Sequence, residues 1–384
     1  MRISDEDRER CRWIDLDSLG AIPEGKPLIL FGAGQGSVEF LEFIRSASAP
    51  FRVRAITDND PTQWGKELLG ITVIAPQSLG DHPGCVIVIT TISGREAVSA
   101  QLQGMGYAAG SDFVAIGRYP SASVDNLKLF LSWNERLSLI KPPARVLHVG
   151  PGGFLGLECC LRSLGYGVVS MDAHGFGIRY PDVTGREAQY RDDFNRMLQF
   201  LPPAADAAGA ERCFAALFEA EAGATRLDSG EIPYSYPHRF SSIPLEDASV
   251  DAVLSFAVLE HVRNPEKVVR EISRVLRPGG VAFQKIVTRD HRSFGRTAGY
   301  NPFSYLFHSE AEWEEINRNK FFQNRLLPHE WEALFARSFD VTHMETLDDY
   351  PLDDGLFAAI SERRPDLERR HLERVNCLLV ARKP

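Results

Sequence analysis

Residues 145–172 read RVLHVGPGGFLGLECCLRSLGYGVVSMD. The apolar run Val146, Leu147, Val149 predicts a buried strand that breaks at Gly150-Pro151-Gly152-Gly153. Leu155, Leu157, Leu161 and Leu164 then follow at helix-like spacing, and a second apolar run ends on Asp172. Strand, glycine turn, helix, strand and terminal acid make a βαβ unit of the kind that binds an adenosine-bearing cofactor. Glycines let the backbone approach a ligand without a Cβ in the way, and an acid at the end of the second strand can take both ribose hydroxyls.

The rest of the chain sets this unit in a soluble α/β protein. Its 384 residues are enough for two domains, and 44% hydrophobic with 25% charged content is ordinary for a globular chain. A formal net charge of −9 argues against nucleic acid as the main partner. The N-terminal stretch MRISDEDRERCRW is charged throughout and does not read as a secretory leader. No apolar run approaches the roughly 20 residues that span a bilayer. The six cysteines form no C-x-x-C pair, which suits reduced thiols. A cytoplasmic location is expected.

Residues 1–118 predict a first Rossmann-like domain. Leu28-Ile29-Leu30-Phe31 runs into Gly32-Ala33-Gly34-Gln35-Gly36-Ser37, a helix follows with Val38, Leu41 and Ile44 on one face, and a second strand ends at Asp58. Strands at 71–74, 86–89 and 113–116 and a helix over 93–105 complete it. Gly32, Gly34, Gln35 and Gly36 suit a phosphate at a helix N-terminus, and Asp58 a ribose. Ser37 stands where G-x-G-x-x-G has its third glycine. The pieces FGAGQGS, ITDNDP and LLGITVIAP resemble the N-terminal domain of bacterial sugar-modifying enzymes such as nucleotide-sugar acetyltransferases. That resemblance implies a nucleotide or nucleotide-sugar ligand. The alternative is a Rossmann shell kept for dimerisation or substrate presentation. Residues 119–144 read as a turn-rich connector followed by an amphipathic helix.

Residues 145–384 predict the second domain, with an insertion at 175–236 read as a partly helical cap or, alternatively, a surface or oligomer contact. Residues 243–287, IPLEDASVDAVLSFAVLEHVRNPEKVVREISRVLRPGGVAFQKIV, carry a strand, the LEHV turn, a helix with Val268, Val269, Ile272, Val275 and Leu276 on one face, and a Pro-Gly-Gly stop before the next strand. This stretch closely resembles the core of class I S-adenosylmethionine-dependent methyltransferases, and 339–342 and 377–381 fit its two closing strands, the last antiparallel. The fold class implied is α/β, two Rossmann-like domains, the second built on a seven-stranded sheet. The cofactor implied is S-adenosylmethionine. Gly150, Pro151, Gly152 and Gly153 would lie beside its methionine moiety, and Asp172 with Ala173 beside the ribose. Ser241, Ser242 and Ile243 would line the adenine, with Ser255, Phe256 and Ala257 closing the pocket. His148 stands where the family usually has an acid, Phe154 where a third glycine is common, and Arg239-Phe240 where Asp-Ala is frequent. His148 reads as a packed core histidine or a residue supporting the site.

Removing a proton from a sugar hydroxyl calls for a general base, most often histidine. His261, after the fourth strand, and His291, after the fifth, are the candidates, with Asp290 or Glu260 to orient either ring. His261 packing the LEHV turn is the alternative. These four are also metal-ligand types, but no tight spacing points to a metal. Tyr300, Asn301, Asn324 and Arg325, among aromatics that include Trp313, Phe321 and Phe322, suit sugar stacking and polar recognition; a packed subdomain or dimer contact would use the same residues. The expected activity is methyl transfer to a hydroxyl of a sugar, nucleotide-sugar or glycan. Its rivals are an NAD(P)-dependent oxidoreductase or epimerase working through the first domain, and a non-catalytic scaffold. A second copy of the chain is a further partner the sequence leaves open.

Overall fold

The computed structural model describes residues 3, 7, 11, 13–91, 95–117, 123–173, 183–219, 226–228, 232–294, 300–317 and 322–384. The chain divides into two compact units, residues 1–120 with 289–321, and residues 121–288 with 322–384.

The first unit is built on β1 (Pro27–Phe31), β2 (Arg52–Thr57), β3 (Glu67–Leu68), β4 (Ile71–Ile74), β5 (Val86–Ile89) and β6 (Phe113–Ala115), with α1 (Gln35–Ser46) and α2 (Arg95–Gly104). The sheet order is β3-β4-β2-β1-β5-β6, parallel except for the β3–β4 hairpin. Because side chains alternate across a strand, Leu28, Leu30, Val86 and Val88 enter one core and Ile29, Phe31, Ile87 and Ile89 another. A sheet covered on both faces explains why these strands read as unbroken apolar runs. The one strand the sequence did not suggest, β3, is two residues long and depends on Leu69 and Gly70, both at positive φ (50° and 80°), to turn back into β4.

Residues 289–321 correct the expected domain boundary. The sequence places them in the second domain, yet they belong to the first unit, where Tyr300 Oη reaches Thr62 Oγ1 and accepts from Gln63 Nε2, both at 2.9 Å. Lys66 Nζ lies 5.0 Å from the centre of the Tyr300 ring. Residues 119–122 of the expected connector, and Phe321, lie outside the described residues.

The second unit opens with α3 (Ser123–Leu137), then β7 (Arg145–Val149), α4 (Gly156–Ser163) and β8 (Gly167–Met171). The insertion gives α5 (Val183–Leu198), α6 (Ala207–Glu219) and β9 (Arg226–Asp228), with β10 (Pro233–Ser235) near its end; its residues 175–182, 220–225 and 229–231 lie outside the described residues. Next come β11 (Val250–Phe256), α7 (Pro265–Val275), β12 (Leu276–Ile286), α8 (Pro328–Phe335), β13 (Asp340–Asp349), α9 (Asp354–Ser361) and β14 (Arg374–Arg382). The sheet order is β13-β14-β12-β11-β7-β8-β10-β9. The six strands the sequence located are present, β10 supplies the seventh from within the expected insertion, β14 is antiparallel between β12 and β13, and β9 adds an eighth at the edge. Asn264 caps α7, accepting from the Lys267 amide at 2.9 Å, and Pro265 takes its first turn.

The insertion joins the core of this unit. Tyr190, Phe194, Met197, Cys213 and Phe214 are buried with Phe154, Leu157, Cys159 and Cys160 of the glycine turn and α4. Phe154 stacks on Tyr190 with ring centres 4.6 Å apart and planes 3° from parallel, and meets Phe194 and Phe214 edge-on. Such ring pairs add about 0.5–1.5 kcal/mol each beyond simple burial. The six cysteines are free thiols, and burial pushes that of Cys160 up to about 12, which makes it packing material.

Gly36 fixes how closely α1 approaches the sheet of the first unit. A Cβ there would stand 2.3 Å from the Thr90 carbonyl oxygen, whereas one on Gly34 would meet nothing within 4 Å. Gly36→Ala is expected to destabilise the chain by roughly 1–3 kcal/mol, and Gly34→Ala by less than about 1 kcal/mol, as read by urea denaturation of the two variants.

Candidate functional site

In the second unit the strand ends bring several expected residues together. β7 pairs with both β8 and β11, so Val149 lies beside Met171 and Ser255. The turn after β7 is left-handed at Gly150 (φ +69°) and Gly152 (φ +76°). A Cβ on Gly150 would stand 2.5 Å from Val258 Cγ2, so glycine is required on both backbone and steric grounds. A Cβ on Gly152 would meet nothing within 4 Å, so open space lies beside that residue. Asp172, 5% exposed, follows β8, its amide donating to Ser235 O (3.1 Å) and its carbonyl accepting from His238 N (2.8 Å). Ala173 beside it is exposed. Ala257 follows β11 with φ +57°, held by its amide on Lys285 O at 2.8 Å. Gly150, Pro151, Gly152, Gly153, Asp172 and Ala257 thus gather at the carboxyl ends of three adjacent strands, where open α/β sheets bind ligands.

Others in the expected set are engaged elsewhere. Ser255 is fully buried, with its hydroxyl on the Gln284 carboxamide across the β11–β12 pair. Phe256 packs into the core and meets the His148 ring edge-on at 5.5 Å. Ile243 is held by α7, its amide donating to Glu271 Oε2 at 2.9 Å and its carbonyl accepting from Arg274 Nη2 at 2.8 Å. Ser241 is half-buried and Ser242 exposed.

His148 has a partner the sequence did not suggest. Its Nδ1 lies 2.6 Å from Glu158 Oε1 on α4, and Ser170 Oγ donates to that same oxygen at 2.7 Å. All three residues are buried. A carboxylate accepts, so Nδ1 carries a proton, and in the neutral ring Nε2 presents a lone pair. Among the described residues that Nε2 has no hydrogen-bond partner.

The LEHV turn is clamped by the chain returning at residue 322. The carbonyl of Phe322 lies 2.7 Å from His261 Nδ1, the Asn324 amide donates to Glu260 O at 2.7 Å, and the Asn324 side-chain amide donates to Leu259 O (2.7 Å) and Val262 O (3.2 Å). Asn324 therefore braces the turn instead of offering its amide to a sugar. Since a carbonyl only accepts, His261 carries its proton on Nδ1, and Nε2 is the basic nitrogen. Arg325 is half-buried beside this clamp.

Asp290, His291, Tyr300 and Asn301 belong to the first unit, so the structure places His261 and His291 in different units. Asp290 is fully buried and takes Arg292 in a fork, Nη2 to Oδ2 at 2.7 Å and Nε to Oδ1 at 3.1 Å, so its carboxylate is committed to a guanidinium and not to an imidazole. The Arg292 guanidinium also covers the Tyr300 ring at 4.6 Å. Asn301 closes a local turn, accepting from Phe303 N at 2.8 Å.

In the glycine turn of the first unit, Ser37 takes the expected third-glycine position without strain. Its hydroxyl donates to Gly32 O at 2.6 Å and lies 2.8 Å from Thr90 Oγ1. Asp58 is turned inward, accepting from the Ala33 amide at 2.6 Å and the Asp60 amide at 2.8 Å. Gln35, half-buried, opens α1 behind the exposed Gly34.

Glu260 is 1% exposed, and among the described residues neither carboxyl oxygen has a hydrogen bond of ordinary geometry. Burial pushes its pKa up to about 8, against a smaller opposing pull from nearby amides and Lys285. An acid whose pKa is higher in the fold than in the unfolded chain holds more protons when folded, so stability falls as pH rises from the ordinary carboxylate range toward 8. Glu260→Gln removes that dependence. Melting temperatures of the variant and the parent are expected to draw apart as pH rises from the ordinary carboxylate range to about 8 and to keep that gap above it, with the variant the more stable.

Comparison with known proteins bears on the second unit. A family model described as "Methyltransferase domain" matches residues 216–283. The chain is 31% identical over 135 residues to a Mycolicibacterium smegmatis protein named "Probable S-adenosylmethionine-dependent methyltransferase", covering 33% of this chain and 52% of that one. It is 43% identical over 63 residues to a protein of the same description in Mycobacterium tuberculosis, covering 16% and 23%. The chain thus spans about half the length of the first relative and about a quarter of the second. A solved structure of geranyl diphosphate C-methyltransferase from Streptomyces coelicolor A3(2) is similar at 14% identity and a TM-score of 0.38, over 68% of this chain and 76% of that one. The sequence matches thus place a methyltransferase-domain stretch in the second unit, over residues 216–283, and the relatives that share it are named as S-adenosylmethionine-dependent methyltransferases.

Proposed function

We propose that the protein transfers a methyl group from S-adenosylmethionine to a hydroxyl of a sugar, nucleotide-sugar or glycan. The observation that carries the cofactor half is the convergence of Gly150, Gly152 and Asp172 at the ends of β7 and β8, with open space beside Gly152. The residues fit the group. Asp172 supplies a carboxylate for the ribose hydroxyls. His148 Nε2, a buried acceptor lacking a partner among the described residues, suits a donor such as the ammonium of the methionine moiety. An unmet buried acceptor costs about 1–3 kcal/mol, so a ligand that supplies the donor recovers that energy on binding. Ser241, Ser242 and Ile243 remain the proposed adenine wall, with Ile243 contributing only an apolar side chain because its amide and carbonyl are spent on α7.

S-adenosylmethionine, when bound, supplies a methyl carbon activated by its sulfonium. The chain must align an acceptor oxygen with that carbon and take up the hydroxyl proton. His261 is suited to proton uptake, because its Nδ1–H is fixed on the Phe322 carbonyl, which orients the ring and makes Nε2 its basic nitrogen. The sugar-type acceptor rests on the resemblance of residues 31–37, 56–61 and 68–76 to nucleotide-sugar enzymes, with the open Gly34 at the N-terminus of α1 as the proposed phosphate position. Asp58 would then shape the turn, since its carboxylate already holds the Ala33 amide.

Isothermal titration tests the core of the reading: S-adenosylmethionine is expected to bind the full chain, and Asp172→Ala to weaken that binding by about ten- to hundred-fold through loss of a charged hydrogen-bond acceptor. Undiminished affinity in that variant would remove Asp172 from the ribose role. His261→Asn, which keeps an amide donor for Phe322, should lower the single-turnover rate by about 10²-fold or more with cofactor affinity unchanged. A rate equal to the parent's across pH would return His261 to a packing role.

A further inference from the structure

The inserted helices bring a hydroxyl to the glycine turn. Tyr190, on α5, is 5% exposed, and its Oη lies 2.8 Å from the point where a Cβ on Gly153 would stand. Its ring is held by the parallel stack on Phe154, which is itself boxed in by Phe194 and Phe214. Gly156 permits this packing, since a Cβ there would come within 2.3 Å of Phe154 Cε1 and 3.0 Å of Met197 Sδ. The Tyr190 hydroxyl is thus positioned by a rigid aromatic cluster, and the cluster is built jointly by the turn and the insertion.

We infer that Tyr190 is a cofactor-binding residue supplied by the insertion, its hydroxyl donating to the carboxylate of the amino-acid end of S-adenosylmethionine. The inference rests on the methyltransferase reading above. With the ribose on Asp172 after β8, the proposed cofactor's amino-acid end runs toward the turn after β7, where Gly152 leaves the backbone bare and Tyr190 Oη stands beside Gly153. That end carries one donor group, the ammonium, and one acceptor group, the carboxylate. In the neutral ring, with Nδ1–H on Glu158, His148 Nε2 accepts, and it then suits the ammonium. A phenol can donate, so Tyr190 suits the carboxylate. The two departures at 148 and 154 then belong to one arrangement: the acceptor becomes an imidazole backed by Glu158, and the third glycine becomes the aromatic platform on which Tyr190 stacks.

Two ligands separate this role from a structural one. S-adenosylhomocysteine carries the amino-acid end, and 5′-methylthioadenosine lacks it. Calorimetry on the full chain is expected to show Tyr190→Phe binding S-adenosylhomocysteine about ten- to hundred-fold more weakly than the parent, as for loss of a hydrogen bond to a charged group, with 5′-methylthioadenosine affinity unchanged. The substitution keeps the ring and its stack on Phe154, and retained 5′-methylthioadenosine binding reports an intact pocket. Equal S-adenosylhomocysteine affinity in variant and parent overturns the assignment. So does a parallel loss of both ligands, which would mean that Tyr190 only supports the fold. If the parent itself binds neither ligand, the methyltransferase reading fails first, a result distinct from either of these.

Discussion

The approach of Gly150 to Val258 is the constraint on which the site of the second unit depends. The backbone after β7 must turn left-handed at the same point where the segment after β11 crosses it, and a side chain at residue 150 would occupy the place of Val258 Cγ2. Two neighbouring strands can therefore end side by side with their following segments in contact, one turning into α4 and the other into the LEHV turn. The segment after β11 is itself braced: Ala257 takes a positive φ, and Phe322 and Asn324 hold the carbonyls and the ring of residues 259–262. A braced seam between β7 and β11 is what brings Gly150, Asp172 and Ala257 to one end of the sheet, beside the open position at Gly152.

Much of this was legible in the chain because buried parallel strands leave a strong local mark. The run Val86–Ile89 is apolar on both faces, and Val250–Phe256, buried except at Asp251, is followed by a helix whose apolar positions recur at helical spacing. The order of the strands in the second sheet came from resemblance, since periodicity does not say which strands pair. Side-chain roles were less legible, for a physical reason. A histidine in an apolar strand declares burial, but its partner Glu158 lies on the next helix, in a stretch that reads as ordinary amphipathic sequence. Asn324 looked like a recognition residue because the carbonyls that occupy its amide lie more than sixty residues earlier in the chain. Asp290 looked like an orienting acid, and only the fold shows Arg292 wrapped around it.

Phe154 and the insertion show how a departure from a pattern carries information. A phenylalanine in place of a small residue beside a cofactor turn suggests a conflict. The conflict disappears once residues 190–214 are packed against it, because the ring faces the inserted helices and becomes part of the unit's main core. The insertion and the altered turn are two halves of one packing solution, and neither makes sense without the other.

The excursion of residues 289–321 also has a consequence for how the protein is made. The first unit begins at the N-terminus, yet it is complete only when this later segment has been synthesised. At about 5–20 residues per second, the interval between residues 120 and 289 amounts to roughly 10–30 s of translation. Throughout that time Thr62 and Gln63 wait for Tyr300, while most of the methyltransferase sheet emerges behind them. The N-terminal Rossmann unit starts first and is finished in the middle of the other's synthesis, so the ribosome delivers the two units interleaved and not in series.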